Sequence, residues 1–298
     1  MVTATIQQDI LDWLAECLGH DYTRARVTPS GAGCINQTYA VQRTGLPSVF
    51  IKVGQSDQLP MYQQEQRGLA LLRQCETIRV PEVYGAENLE SCALLALEFI
   101  QLAPLRSVAE PTFGRALAQL HSITVNAYGL DHNNFIGRSH QINDWHSDWW
   151  TFFCEKRLRP QRMLAQMKGM RSGLLTDLER LMAVVPAALS DHTPPASLLH
   201  GDLWSGNMAV DENGTPTLFD PAVYYGDGET DLAMSRMFGG PGAGFYQAYH
   251  EIQPLQEGHE LRRSLYDLYH WLNHFNLFGV GYLGQVELTL GALLREMD

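Results

Sequence analysis

The sequence predicts an α+β protein of two lobes: a small N-terminal lobe built on an antiparallel sheet, and a larger, mainly helical C-terminal lobe. Three observations support this fold class. Strand patterns are concentrated between residues 26 and 99. Helical periodicity dominates from residue 107 onward, and few strands alternate with helices as they do in a parallel sheet. We place the boundary just after residues 98–102, which gives lobes of residues 1–100 and 101–298.

The elements of the N-terminal lobe follow from spacing. Residues 5–18 carry apolar side chains at helical intervals and end at Gly19, so they predict a helix. Short β-rich runs at 26–28, 37–43 and 49–53 predict three strands around a turn that contains glycine. A second helix is expected over 58–75, and two further strands over 80–85 and 93–99.

The C-terminal lobe reads mostly as helix. Residues 107–122 predict the first helix, and a linker rich in Asn, Gly and His is expected over 126–143. Helices are predicted over about 145–168 and 172–190, followed by a hairpin that turns at Asn213-Gly214. The remainder, from about 242 to 298, is predicted to be helical.

Composition narrows the range of functions. The 298 residues are 45% hydrophobic, enough for a large core, and the net charge of −12 argues against nucleic acid or an anionic membrane as the main partner. No apolar run reaches the roughly 18 residues of a membrane span, and the N-terminus lacks signal-peptide features, so we expect a cytoplasmic protein. The five cysteines are scattered and lack a CxxC pair, which indicates reduced thiols: Cys17, Cys34, Cys75, Cys92 and Cys154.

The most informative stretch runs from His200 to Asn207, with Asp220 thirteen residues further on. The pattern H-x-D-x-x-x-x-N followed by a hairpin and an aspartate is typical of a kinase catalytic loop and its metal site. Asp202 is the candidate catalytic residue, which would accept the proton of the substrate hydroxyl. Asn207 and Asp220 are the candidate ligands of Mg²⁺, which would bridge the phosphates of ATP.

A buried cation is predicted in the strand over 49–53. Lys52 is flanked there by apolar residues, where an ammonium group without a partner would be expensive to bury. Glu65 shares a helix face with apolar neighbours and is the candidate partner, so the two would set the ATP phosphates. The alternative places Lys52 on the exposed face of an edge strand.

Two backbone segments are candidates for nucleotide contacts. Gly31 and Gly33 lie between predicted strands, where their N–H groups would approach phosphate, although an ordinary hairpin explains them as well. The third glycine of protein kinases is missing. The backbone of Glu98, Phe99 and Ile100 is expected to hydrogen-bond the adenine edge, and a plain buried strand is equally compatible with this segment.

Several other side chains have two interpretations each. Trp204 either faces a ligand beside Asp202 or supports the loop by packing. Asp231 lies near the start of a helix, where it would cap the helix, brace the catalytic loop, or both. His270 and His274 lie one helical turn apart, but no third metal ligand is evident, so His274 is considered as a substrate contact instead. The aromatic run at 145–153 is expected to be mostly core.

Taken together, these residues resemble the fructosamine/ketosamine kinase family, relatives of aminoglycoside and choline kinases within the protein-kinase-like fold. The resemblance covers nearly the whole chain and is most distinctive in the catalytic loop, where Trp204 follows Asp202-Leu203. Other matching pieces are Gly31 to Ile35, Phe50 to Val53, Asn143 to Trp145, Met237 to Gly240, and Leu272 to His274. The metal segment reads Phe219-Asp220-Pro221-Ala222, as in this family, where protein kinases have Asp-Phe-Gly.

The resemblance implies phosphorylation of the 3-hydroxyl of ketosamines, either small adducts or glycated protein lysines, and thereby release of the amine. Trp204 and His274 become candidate substrate contacts, and Cys34 a candidate redox switch that would link two subunits by a disulfide. The chain would then be a monomer or a redox-dependent homodimer. Two alternatives stay open: a kinase of aminoglycoside, choline or amino-sugar type, and a non-catalytic nucleotide-binding protein.

Overall fold

The computed structural model describes residues 3–31 and 37–297. Its N-terminal part is a five-stranded antiparallel sheet in the order β1-β2-β3-β5-β4. The strands are β1 (Arg26–Pro29), β2 (Gln37–Gln42), β3 (Val49–Gly54), β4 (Val83–Asn88) and β5 (Ala93–Glu98). Lys52 lies opposite Leu95 in the central strand β3, so the edge-strand alternative is wrong.

Two helices cover the two faces of this sheet, α1 (Ala4–Leu18) and α2 (Leu59–Leu72). Thr3 caps α1 by accepting the N–H of Ile6 at 3.3 Å, and Gly19 ends it with φ 65°. Because side chains alternate along a strand, β5 sends Leu94 and Ala96 into the cluster beneath α1 and Leu95 and Leu97 into the one beneath α2. This double burial explains the unbroken apolar run of β5.

The C-terminal part is mainly helical. The helices are α3 (Glu110–Leu120), α4 (Trp149–Phe153), α5 (Arg159–Met167), α6 (Ser172–Ala188), α7 (Glu229–Arg236), α8 (Ala243–His250), α9 (His259–Phe278) and α10 (Leu283–Met297). Short strands between these helices pair in small antiparallel sheets. They are β6 (Ala103–Pro104), β7 (Thr124–Val125), β8 (Asn134–Ile136), β9 (Ser139–Gln141), β10 (Ala196–Leu199), β11 (Met208–Val210), β12 (Pro216–Leu218) and β13 (Tyr224–Gly226).

The core of this part is rich in aromatic side chains, as predicted for the run at 145–153. Trp149 and Trp150 are each 1% exposed, whereas Trp145 is 45% exposed. The indole N–H of Trp149 donates to the Tyr266 hydroxyl at 2.9 Å, and that of Trp150 donates to the His192 carbonyl at 3.1 Å. Both buried donors are therefore satisfied.

Several predicted elements differ in extent. The segment predicted as a linker over 126–143 contains the hairpin β8–β9, and the helix predicted over 145–168 is divided by a π-helical turn at Cys154–Leu158. The terminal helical region is split into α8, α9 and α10, and the strand predicted over 80–85 begins only at Val83. Helix α2 is shorter than predicted at both ends.

The structure also describes most of the cysteines and the helices that bear on the membrane prediction. Four cysteines lie in the described part of the chain, and all four are free thiols: Cys17, Cys75, Cys92 and Cys154. Within residues 3–31 and 37–297, none of the helices has the length and apolar character needed to cross a membrane. The predicted sites at Gly33 and Cys34 lie outside the described residues.

Candidate active site

The catalytic loop, residues 200–207, connects β10 to β11. His200 is fully buried; its backbone carbonyl accepts the N–H of Ala222 at 2.8 Å, and its Nε2 lies 3.0 Å from the carbonyl of Phe219. Its Nδ1 accepts the N–H of Asp202 at 3.2 Å. Burial lowers the pKa of His200, so the ring is neutral and carries its proton on Nε2. The histidine thus ties the loop to the chain that follows β12.

Gly201 is required by the close approach of these two segments. Its φ is 83°, a conformation that favours glycine, and a Cβ placed on it would lie 2.0 Å from the carbonyl oxygen of Ala222. Any other residue would push the loop away from the segment that carries Asp220.

Asp231 holds the catalytic loop in place by accepting hydrogen bonds from its backbone. Its carboxylate accepts the N–H of His200 at 2.7 Å and that of Gly201 at 2.9 Å, and it lies 3.2 Å from Nε2 of His121. Burial opposes ionisation, but His121 and the backbone donors outweigh it and lower the pKa of Asp231. The sequence left open whether Asp231 caps α7 or positions the catalytic loop. The geometry favours positioning of the loop, because the carboxylate accepts hydrogen bonds from the loop and not from the first turn of α7.

Asp202 and Asn207 face each other across the loop. The side-chain amide of Asn207 donates to the Asp202 carbonyl at 2.8 Å and lies 3.4 Å from its carboxylate. Burial, together with the charges of Asp220 and Asp231, raises the pKa of Asp202 to about 7. A carboxylate with such a pKa can accept a proton near neutral pH.

Lys52 links the N-terminal part of the fold, where Glu65 lies, to the C-terminal part, where Asp220 lies. Its Nζ lies 2.6 Å from Glu65 Oε1 and 2.6 Å from Asp220 Oδ1. Burial opposes the charge on Lys52, but the two carboxylates outweigh it and raise its pKa; for Glu65 burial prevails over the shared lysine and raises the pKa. Asp220 adopts φ 58°, which is uncommon for a residue other than glycine. The predicted lysine–glutamate pair is therefore formed.

A magnesium ion fits the oxygen atoms at this point. The Asn207 amide nitrogen is occupied by the Asp202 carbonyl, so its oxygen is left for a ligand. Asp220 shares one oxygen with Lys52, and its other oxygen has no partner among the described residues. An amide oxygen and a carboxylate oxygen are the hard ligands that Mg²⁺ prefers.

One cavity of about 900 Å³ collects the predicted site residues that the structure describes. Its lining includes Gly31, Lys52, Glu65, Glu98, Phe99, Ile100, Asp202, Trp204, Asn207, Asp220 and His274. His270 does not line the cavity and is fully buried.

The predicted adenine segment offers fewer backbone donors than expected. The N–H of Glu98 donates to the Glu82 carbonyl at 2.8 Å, and that of Phe99 donates to the Ser48 carbonyl at 3.1 Å. Within the described residues, no backbone carbonyl receives the N–H of Ile100. Of the three N–H groups, that of Ile100 is the one left to bind a ligand.

Part of the cavity beside the catalytic loop is walled by rings. Trp204 packs on Gly206, where a Cβ would lie 2.2 Å from the indole, and its ring centroid is 6.3 Å from that of Phe238. Phe238 in turn lies 4.9 Å from the His274 ring. Trp204 thus both packs against the loop and faces the cavity. Phe238 was not singled out as a site residue from the sequence.

A buried amide cluster, also missed from the sequence, holds the chain just after Asp220. The Asn134 side chain donates to the Val223 carbonyl at 2.7 Å, and the Gln141 side chain donates to the Ala222 carbonyl at 2.9 Å. Asn134 also lines the cavity. The sequence offered no local signal for these amides, because Asn134 follows another asparagine and Gln141 follows a histidine.

The chain is similar to known proteins along nearly its whole length. The profile of the fructosamine kinase family matches residues 6–296. The chain belongs to this family. It is 39% identical to a protein of Synechocystis sp. described as a probable ketoamine kinase, over 97% of each chain. It is also 40% identical to the chloroplastic protein-ribulosamine 3-kinase of Arabidopsis thaliana, over 90% of this chain and 82% of that protein.

A solved structure agrees with this assignment. The crystal structure of a Haemophilus somnus protein assigned as a fructosamine-3-kinase superposes with a TM-score of 0.88 at 31% identity, covering 97% of each chain. The family prediction and the two-lobed kinase fold are thereby confirmed, and so is the prediction of a phosphotransferase. Kinases of this fold use ATP as the phosphoryl donor.

Proposed function

We propose that this fructosamine kinase family member transfers the γ-phosphoryl group of ATP to the 3-hydroxyl of ketosamines. The observation that carries the proposal is the position of Asp202, a carboxylate without a cationic partner among the described residues. It lies in one cavity with the Lys52–Glu65 pair and a wall of rings. The names of the two curated relatives, a ketoamine kinase and a ribulosamine 3-kinase, support the choice of acceptor.

The proposed division of labour follows from the contacts. Asp202 accepts the proton of the acceptor hydroxyl, whose oxygen forms the new bond to phosphorus as the bond to the β-phosphate oxygen breaks. Lys52, held by Glu65, neutralises phosphate charge, and Gly31 lines the same cavity. The carbonyl of Glu98 and the free N–H of Ile100 bind the adenine edge.

Asn207 and Asp220 would hold Mg²⁺ through the two oxygens described above. When bound, the ion would neutralise charge on the phosphates. The protein's own part is to fix the two ligands. The Asp202 carbonyl orients the amide of Asn207, while Lys52 and the positive φ of Asp220 set the carboxylate.

The product explains a role in repair. A phosphate on carbon 3 is a good leaving group once the neighbouring carbonyl at carbon 2 enolises toward carbon 1. Hydrolysis of the imine that remains then frees the amine. Phosphorylation of a glycated lysine would therefore restore the lysine, and we propose deglycation in the cytoplasm as the biological outcome.

The test is ATP-dependent phosphorylation of fructose-lysine and ribulose-lysine by the parent and by Asp202→Asn. Loss of the general base should lower kcat on the order of a hundred- to ten-thousandfold, while ATP binding measured by calorimetry is retained. Asp191→Asn, at an exposed carboxylate, is the matched control. Near-parent turnover by Asp202→Asn contradicts the assigned base, and turnover of choline or an aminoglycoside in place of both ketosamines contradicts the assigned acceptor.

The redox role of Cys34 stays a prediction from the sequence. A non-reducing gel after oxidation measures it directly. The parent should form a covalent dimer that Cys34→Ala does not form, and equal dimerisation of both would refute the switch.

A further inference from the structure

We propose that the amine substituent of the acceptor lies against an aromatic lip, defined as Phe278 and Tyr282, and that Phe278 is a specificity-determining residue. The lip would favour ketosamines whose amine carries an aliphatic stem over the unsubstituted amino sugar and over polycationic acceptors. The inference rests on the proposed function and adds the part of the substrate that lies beyond the sugar.

A continuous chain of ring contacts leads from the catalytic loop to this lip. Ring centroids are separated by 6.3 Å between Trp204 and Phe238 and by 4.9 Å between Phe238 and His274. From His274 the distance is 5.2 Å to Tyr282 and 5.6 Å to Phe278. All five rings line the same cavity. They form one wall along which an extended acceptor can lie.

The two ends of the wall face different surroundings. Trp204 lies two residues after Asp202, at the reacting end. Phe278 is the last residue of α9 and is 49% exposed while still lining the cavity. Gly279, with φ 91°, ends the helix, and the turn that follows brings Tyr282 back to 6.1 Å from Phe278. The lip is therefore the point at which the wall reaches solvent.

The ion pairs in the cavity disfavour a carboxylate clamp for cationic acceptors. Among the described lining residues, Glu65 and Asp220 are both paired with Lys52, and Glu98 is paired with Arg79. Asp202 is left as the lining carboxylate without a cation. Rings can still bind a single ammonium group through their faces and an alkyl stem through apolar contact.

The chemistry of a ketosamine sets the direction of the substituent. The reacting hydroxyl is on carbon 3, whereas the amine is on carbon 1 at the end of the sugar chain. With the hydroxyl at Asp202, the sugar occupies the wall near Trp204 and Phe238. The substituent on nitrogen then continues outward past His274 to Phe278.

The experiment compares two acceptors that share one sugar: 1-amino-1-deoxyfructose and the fructosyl adduct of Nα-acetyl-lysine on its side-chain amine. The measured quantity is the ratio of their kcat/KM values, substituted over unsubstituted. We expect Phe278→Ala to lower this ratio about two- to fivefold, the range of one exposed ring contact, and Phe278→Tyr to restore it. The KM for ATP should stay unchanged in both.

Leu288→Ala is the control, because Leu288 is apolar, 70% exposed and outside the cavity lining. It should keep the parent ratio. An unchanged ratio in Phe278→Ala, with both acceptors turned over, overturns the lip alone. A parent enzyme that phosphorylates neither ketosamine overturns the proposed function, and the lip with it.

Discussion

Replacement of Asp231 tests whether the catalytic loop depends on the buried carboxylate beneath it. Its two oxygens accept the N–H groups of His200 at 2.7 Å and Gly201 at 2.9 Å, and the side chain is 1% exposed. Asp231→Ala leaves both donors buried without a partner. Asp231→Asn keeps one acceptor oxygen and sets an amide NH₂ against the other donor.

The size of the effect follows from these contacts. A buried donor left unsatisfied costs about 1–3 kcal/mol, so two cost about 2–6 kcal/mol. Loss of the carboxylate also leaves Nε2 of His121 without its partner, while Nδ1 keeps its contact with the Tyr249 hydroxyl. We expect Asp231→Ala to lower the free energy of unfolding by about 3–5 kcal/mol, and Asp231→Asn by about 2 kcal/mol. Because the same loop carries Asp202, a shift of about 1 Å should lower kcat on the order of a hundredfold.

Urea denaturation and steady-state turnover of fructose-lysine measure the two effects separately. The KM for ATP should change little, since Lys52 and Glu65 do not contact Asp231. Asp191→Asn, an exposed carboxylate, should match the parent in both assays. If Asp231→Asn folds and retains the parent kcat, the loop is positioned by the bond between His200 and Ala222 instead, and the reasoning is wrong.

Two further substitutions follow from the geometry. Gly201→Ala should destabilise the fold by about 1–3 kcal/mol through overpacking against Ala222 and lower kcat; Gly214→Ala, with similar φ and open space around it, should not lower kcat, and equal losses would refute the clash. His192 Nε2 lies 2.7 Å from Asp227 Oδ2; burial lowers the pKa of His192, but Asp227 outweighs it and raises the pKa. That stabilisation is complete below about pH 6.5 and is lost as the pH rises through the raised pKa. Thermal midpoints of the parent and His192→Gln should therefore differ most near about pH 6 and converge at higher pH, and a gap that widens instead contradicts the pairing.

The pairing of Lys52 with Glu65 could be predicted because both residues lie in regular, strongly patterned elements. Lys52 stands in a run of β-rich residues, and Glu65 lies at helical spacing from apolar neighbours. Each pattern predicts both the type of secondary structure and the face on which the side chain lies. Their ion pair at 2.6 Å then follows from packing one helix on one sheet.

The hairpin β8–β9 could not be predicted in this way. It is only a few residues long, and its composition is that of a loop. Its stability comes from distant partners, since Asn134 bonds the carbonyl of Val223 and Gln141 that of Ala222. Local propensity contains no information on such contacts.

The π-helical turn has a similar origin. The buried Arg157 lies in this turn, donates to the Ile142 carbonyl at 2.7 Å and to Asn143 Oδ1 at 2.8 Å, and stacks 3.9 Å from the Tyr224 ring centroid. These contacts stabilise the one extra residue that a π-helical turn contains, whereas helical periodicity alone predicts a continuous α-helix. Tertiary contacts therefore override the local pattern at this point.

The two halves of the cavity depend on different kinds of contact, and this has a consequence for specificity. Phosphoryl transfer requires charged groups at fixed distances, and Lys52, Asp202 and Asp220 are held by ion pairs or buried hydrogen bonds. The proposed acceptor end is built from ring contacts that run to the half-exposed Phe278, where no buried partner would be left unsatisfied by substitution. We therefore expect changes at the proposed lip to alter which amine substituent is accepted while the catalytic geometry is preserved. Substitution of Asp231 or Gly201 would instead lower the rate of phosphoryl transfer itself.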